Sequence, residues 1–138
     1  MERIYTWEGQ PTEGLAIQPT HEAFDDALDY LAVLVEADRT LVDSGSLFLV
    51  HAIALVPDGP NAGKPFSHAW VELGEKVCLG GLLDGVRVFY SVPLAEFYEK
   101  MRVQESTRYT VREAVAENYR TNHYGPWLEK YRALCRKE

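Results

Sequence analysis

Residues 47–56, LFLVHAIALV, and residues 66–92, FSHAWVELGEKVCLGGLLDGVRVFYSV, decide the fold. The first run is nearly all apolar and β-prone. It is bounded by Ser44-Gly45 and Pro57-Asp58-Gly59, the pattern of a strand buried on both faces. Residues 57–65, PDGPNAGKP, are turn-forming almost throughout and predict a loop. Strands follow over 66–73, 76–83 and 86–92. They are parted by Gly74-Glu75 and Asp84-Gly85, two-residue hairpin signals of which the second favours a type I′ turn. Four short strands in a row with tight turns predict an antiparallel meander.

Working outward, residues 1–19 carry the breaks Gly9, Pro11 and Gly14 and read as an irregular lead-in with one short strand around Arg3 to Trp7. Thr20 is placed to cap a helix over 21–37, where Phe24, Ala27, Leu28, Leu31, Leu34 and Val35 recur at helical spacing. Beyond the meander, Pro93 suits the first position of a helix over 93–100, and residues 102–109 are polar and extended. Thr110 and Glu113 have capping-box spacing ahead of a helix over 111–121. Pro126 opens a last amphipathic helix through Trp127, Leu128, Tyr131 and Leu134. The order predicts a single α+β domain over 1–138: an N-terminal helix packed on an antiparallel meander of four to five strands, with C-terminal helices.

The 138 residues suffice for one core without a metal or disulfide staple. A net charge of −7 argues against non-specific nucleic-acid binding, and no run reaches the 18 or so apolar residues of a membrane span. The N-terminus lacks the basic-then-apolar plan of a secretory signal. With only Cys78 and Cys135, far apart, the expectation is two buried thiols in the cytoplasm. Charge is uneven: −10 over residues 1–101 and +3 over 102–138. The basic tail suits docking on the acidic body or on an acidic partner, or is a solvated last helix.

Several motifs are weak. Gly59 to Lys64 misses the phosphate-loop pattern by one residue, lacks the following Ser or Thr, and leads into a strand. The four histidines, His21, His51, His68 and His123, show no metal-ligand spacing, so neither a metal nor a cofactor is expected. The informative segment is His68-Ala-Trp-Val-Glu72. On a strand, His68, Trp70 and Glu72 share one face, and Ala69, Val71 and Leu73 share the other. An imidazole, an indole and a carboxylate aligned in this way suit the wall of a groove; a half-exposed sheet with an incidental histidine is the plainer alternative. His51 interrupts the most apolar strand and needs a partner. One register sets it opposite Glu72, and a backbone carbonyl is the alternative. Asp84 is a second candidate acid or a simple turn residue. His123 and Tyr124 either face the groove of Trp70 or form a turn beside the core anchor Trp127.

His68-Ala-Trp-Val-Glu72, followed by a strand that ends near an acid, resembles the histidine segment of transglutaminase-like and papain-like domains over roughly residues 47–92. That resemblance implies a helix-borne Cys nucleophile, His68 as base, and Glu72 or Asp84 as the orienting acid. The chain departs from it, because no cysteine precedes His68; Thr20, Ser44 and Ser46 are the hydroxyls that could replace one. The 57–65 loop, Arg108-Tyr-Thr and His123-Tyr-Gly-Pro-Trp127 also resemble small bacterial and phage proteins, which implies no particular activity. Two functions follow. One is a binding or accessory module with His51, His68 and Trp70 forming its pocket, joined by His123 and Tyr124, for a peptide or protein partner, with a homodimer open. The other is an amide or peptide hydrolase or acyltransferase using His68 as general base and Trp70 as substrate platform.

Overall fold

The computed structural model describes residues 5–8 and 23–135. Its elements run β1 (Tyr5–Glu8), α1 (Ala23–Ala37), a 3-10 turn (Arg39–Asp43), β2 (Leu47–Leu55), β3 (Pro65–Leu73), β4 (Lys76–Leu83), β5 (Val86–Pro93), α2 (Leu94–Met101), β6 (Glu105–Thr110), α3 (Val111–Thr121) and α4 (Glu129–Cys135). Six strands form one sheet in the order β1-β5-β4-β3-β2-β6. β2 to β5 make the meander, β6 adds antiparallel to β2, and β1 adds parallel to β5. The architecture is α+β, as the order of elements predicts.

Alternation along β2 and β3 divides the core. Leu47, Leu49, Ala69 and Val71 point to a layer made with Ala27 and Leu31 of α1, Ala114 of α3 and Trp127. Val50, Ala52 and Trp70 point the other way, onto Phe97 of α2. β2 is therefore buried on both faces, which is why it carries no polar side chain except His51. Asp84 and Gly85 have φ of 50° and 76°, as a type I′ turn requires. At α3 both capping-box bonds are present: Glu113 N–H to Thr110 Oγ1 at 3.2 Å and Thr110 N–H to Glu113 Oε1 at 2.9 Å.

Three expectations change. Pro93 is the cap of α2 and not its first residue. The last helix starts at Glu129, because the chain before it seats Trp127 in the core, with its Nε1–H donating to the His123 carbonyl at 3.0 Å. Cys78 is buried but Cys135 is exposed, and neither is in a disulfide. The cap at Thr20 and the imidazole of His21 lie outside the described residues. No helix among the described residues is long and apolar enough to cross a membrane.

The feature that positions the site is a lapse in pairing. β2 pairs with β3 over nine positions and β4 with β5 over eight, but β3 meets β4 only at Val71–Cys78, Glu72–Val77 and Leu73–Lys76. N-terminal to Val71 the strands part. Gly80 of β4 is pressed against α1: a Cβ there would lie 2.9 Å from Asp26 Cβ and 3.0 Å from its Oδ2. Asp26 is itself held by Arg87 at 2.7 Å, so it cannot swing aside without cost. Gly80→Ala is expected to lower stability by about 1–3 kcal/mol, read as a lower urea midpoint at unchanged m-value. An unchanged midpoint would contradict this packing.

Candidate functional site

The parting of β3 and β4 opens a cleft of about 410 Å³ through the sheet. β3 supplies His68, Ala69 and Trp70 to one wall, and β4 supplies Cys78, Leu79 and Gly80 to the other. Ala23 and Ala27 of α1 close one end, and Phe97 and Met101 of α2 close the opposite one. Tyr90 and Val92 of β5 extend the apolar lining, and the exposed Glu96 and Lys100 of α2 border it.

His68 is half-buried against Trp70, Phe66 and Phe97, with ring centroids at 5.5, 5.4 and 6.4 Å. Among the described residues nothing hydrogen-bonds to its imidazole, so no group orients the ring or fixes its tautomer. Burial pushes its pKa down to about 4, which leaves it neutral at pH 7 and a weak base. No hydrogen bond joins it to either cysteine. The helix that borders the cleft presents the methyl groups of Ala23 and Ala27 and no thiol. Of the substitute hydroxyls, Ser44 and Ser46 bond to each other at 2.8 Å in the loop before β2, away from the cleft, and Thr20 lies outside the described residues.

Trp70 and Glu72 do share the face of His68, but Glu72 serves a different purpose. It is 2% exposed and does not line the cleft. Its Oε2 accepts from Trp70 Nε1–H at 2.9 Å and from the Tyr98 hydroxyl, and its Oε1 accepts from Arg108 Nε–H at 2.9 Å. Arg108 also closes an ion pair with Oε1 at 2.8 Å and lies over the Phe48 ring at 5.9 Å. Burial, with the hydrogen bond to Glu72 and its charge, pushes Tyr98 up to about 12. With its oxygens engaged by three donors, Glu72 braces Trp70, α2 and β6 together and makes no contact with His68.

The remaining candidates are dispersed. His51 pairs with Ala69 and Thr107, and Glu72 pairs with Phe48; the expected His51–Glu72 contact is therefore replaced by opposite faces of the sheet. The ring of His51 is fully buried among Phe24, Tyr109 and Trp127, at centroid distances of 4.8, 5.1 and 5.0 Å, and neither nitrogen has a hydrogen-bond partner. Gly125 backs onto it so closely that a Cβ would stand 2.7 Å from His51 Cε1. Desolvation pushes its pKa down to about 3. Asp84 is exposed at the tip of the β4–β5 turn and does not line the cleft; its left-handed φ makes it a turn residue. His123 accepts the Gly125 N–H at Nδ1, 3.1 Å, and belongs to the turn ahead of Trp127. Tyr124 lines a separate groove between α1 and α3, not the cleft of Trp70.

Sequence reasoning missed Tyr98 and Arg108, which complete the Glu72 network, and the α2 side chains of the cleft. Their signal is weak, because they lie 26 and 36 residues from Glu72 and meet it only through the strand order. Among the described residues, no three His, Cys, Asp or Glu side chains gather as a metal site would require. No family model, no curated protein and no solved structure matches the chain.

Proposed function

We propose that the protein is a binding module that holds a small, largely apolar group in the β3–β4 cleft without turning it over, on a scaffold resembling transglutaminase-like and papain-like domains but without their nucleophile. The single observation that carries this is the lapse of β3–β4 pairing after three positions, which leaves a cavity walled by Trp70, Phe97 and Tyr90. Its volume falls in the range of roughly 300–1,000 Å³ typical of small-molecule sites, and its lining is mostly apolar with few polar groups. His68 supplies one donor and one acceptor at neutral pH, suited to a polar tip on the bound group and poorly suited to proton abstraction. The cytoplasm as its place of work rests on two cysteines in no disulfide, one of them exposed.

The hydrolase or acyltransferase alternative draws on one observation: Cys78 lines the same cleft as His68. Labelling of Cys78 decides between them. In a Cys135→Ser variant at pH 7, methyl methanethiosulfonate is expected to modify Cys78 slowly, at a rate that His68→Ala does not reduce. p-Cresol, occupying the cavity, is expected to slow it further. Rapid labelling that is lost in His68→Ala would reveal an activated thiolate and overturn the binding reading. Labelling indifferent to p-cresol would remove the cleft as a site.

A further inference from the structure

We infer that the cleft is built for a free α-amino acid with an apolar side chain. This rests on reading the cleft as a binding site and adds what its border selects. The interior walls carry no ionised group, so the buried part of the ligand is uncharged, and Tyr90, Phe97 and Met101 favour an aromatic or branched aliphatic group there.

The charge lies at the border. Glu96 and Lys100 are the two ionised side chains in the lining, they have opposite sign, and they sit four residues apart on α2. That spacing puts them on one face of the helix, with Glu preceding Lys, the order that favours an intrahelical ion pair. Yet the two form no ion pair with each other, and among the described residues neither pairs elsewhere. One unpaired anion and one unpaired cation therefore stand beside an apolar cavity. A ligand with a single charge satisfies one of them and opposes the other. A ligand bearing an ammonium and a carboxylate on one carbon satisfies both, and directs the side chain of that same carbon into the cavity. Charge-assisted hydrogen bonds to the two groups supply the selectivity, and the apolar wall supplies the bulk of the contact. His68 lies farther in, where its imidazole suits the polar tip of a larger side chain, such as a phenol or an indole N–H.

The test is calorimetric titration of the full chain with L-phenylalanine, with phenethylamine and 3-phenylpropionate as single-charge analogues, and with p-cresol as an uncharged probe. L-Phenylalanine is expected to bind about tenfold or more tightly than either single-charge analogue. Lys100→Gln is expected to reduce L-phenylalanine to the affinity of phenethylamine or below and not to weaken phenethylamine, whose ammonium loses only a repulsive neighbour. Glu96→Gln is expected to do the same with respect to 3-phenylpropionate. Both positions are exposed, and unchanged far-ultraviolet circular dichroism verifies the fold of each variant. Equal binding of all three phenyl compounds, or indifference to both substitutions, overturns the inference. If p-cresol binds while L-phenylalanine binds no better, only the amino-acid assignment falls; if p-cresol also fails to bind, the cleft itself is not a site.

Discussion

Acidification from pH 7 to pH 4 is expected to destabilise this protein by about 3 kcal/mol through His51 alone, and His51→Leu is expected to escape that part of the loss. The imidazole is enclosed by Phe24, Tyr109, Trp127 and Gly125, and neither nitrogen has a partner that would stabilise a bound proton. In the unfolded chain it takes up a proton near pH 6.5, and in the folded chain only near 3. Between those values the unfolded state binds more protons, so stability falls as pH falls, by about 1.4 kcal/mol per pH unit, and is fully restored above about pH 7. Against a typical total of about 5–15 kcal/mol this is a large fraction. His68 acts in the same direction between 6.5 and about 4, more weakly because its ring borders the open cleft.

Urea unfolding of wild type and His51→Leu at pH 7, 6, 5 and 4 measures the effect. The two stability curves are expected to diverge by about 1.4 kcal/mol per pH unit below 6.5. At pH 7 the variant is expected to stay within about 1 kcal/mol of wild type. It loses the contacts with the surrounding aromatic rings, edge-on with Phe24 and Tyr109 and tilted with Trp127, but it removes two buried polar atoms without partners, each of which costs free energy in the folded state. Parallel curves would mean that the imidazole is protonated, or reached by solvent, in the folded protein.

His51 also marks the limit of what the sequence discloses. Its burial follows from local pattern: it interrupts nine apolar residues, and alternation forces a side chain there into the core. Its partners do not follow. The two-residue turn Asp84-Gly85 sets the β4–β5 register, so Leu83–Val86 and the pairs beyond it are legible from the turn alone. The loop between Leu55 and Pro65 has no such rule. A slip of three positions separates the expected His51–Glu72 pairing from the observed His51–Ala69, and an odd slip moves the side chain to the other face. The shared face of His68, Trp70 and Glu72 was legible for the opposite reason, since it depends only on period two within one strand. The cleft was not, because it depends on where β3 and β4 stop pairing. α1 lies close over Gly80 where the strands part, so that a Cβ there would meet Asp26, and no stretch of sequence announces it. Glu72 is one of the two orienting acids the resemblance implies, and it becomes a brace once β6 delivers Arg108 and α2 delivers Tyr98.

Glu72→Gln tests that reassignment, with an expected loss of about 2–4 kcal/mol in stability at pH 7. The carboxylate is a pure acceptor facing three donors: the Trp70 indole, the Tyr98 hydroxyl and the Arg108 guanidinium. An amide keeps the shape but replaces one acceptor oxygen with a donor, so whichever partner faces the NH2 loses its acceptor. Trp70 is 0% exposed, which leaves its indole N–H no access to water as compensation. Arg108, 52% exposed on its side chain, recovers its hydration when released. The amide is therefore expected to keep its oxygen toward Trp70 and Tyr98, which share Oε2, and to turn its NH2 toward the cation. The penalty is then the lost charge pairing with Arg108 beside a buried donor; Arg108→Lys, which keeps a cation, is expected to cost less, about 1 kcal/mol. Spectrophotometric alkaline titration supplies a second readout: with the carboxylate gone, the Tyr98 phenol is expected to ionise below its present value of about 12, since the nearby negative charge is removed. An acid that only oriented a catalytic imidazole would leave the urea midpoint unchanged on conversion to its amide. A wild-type midpoint in Glu72→Gln would thus return Glu72 to the list of candidate catalytic groups, and a lowered midpoint with a shifted phenol makes the network a structural brace for the wall of the cleft.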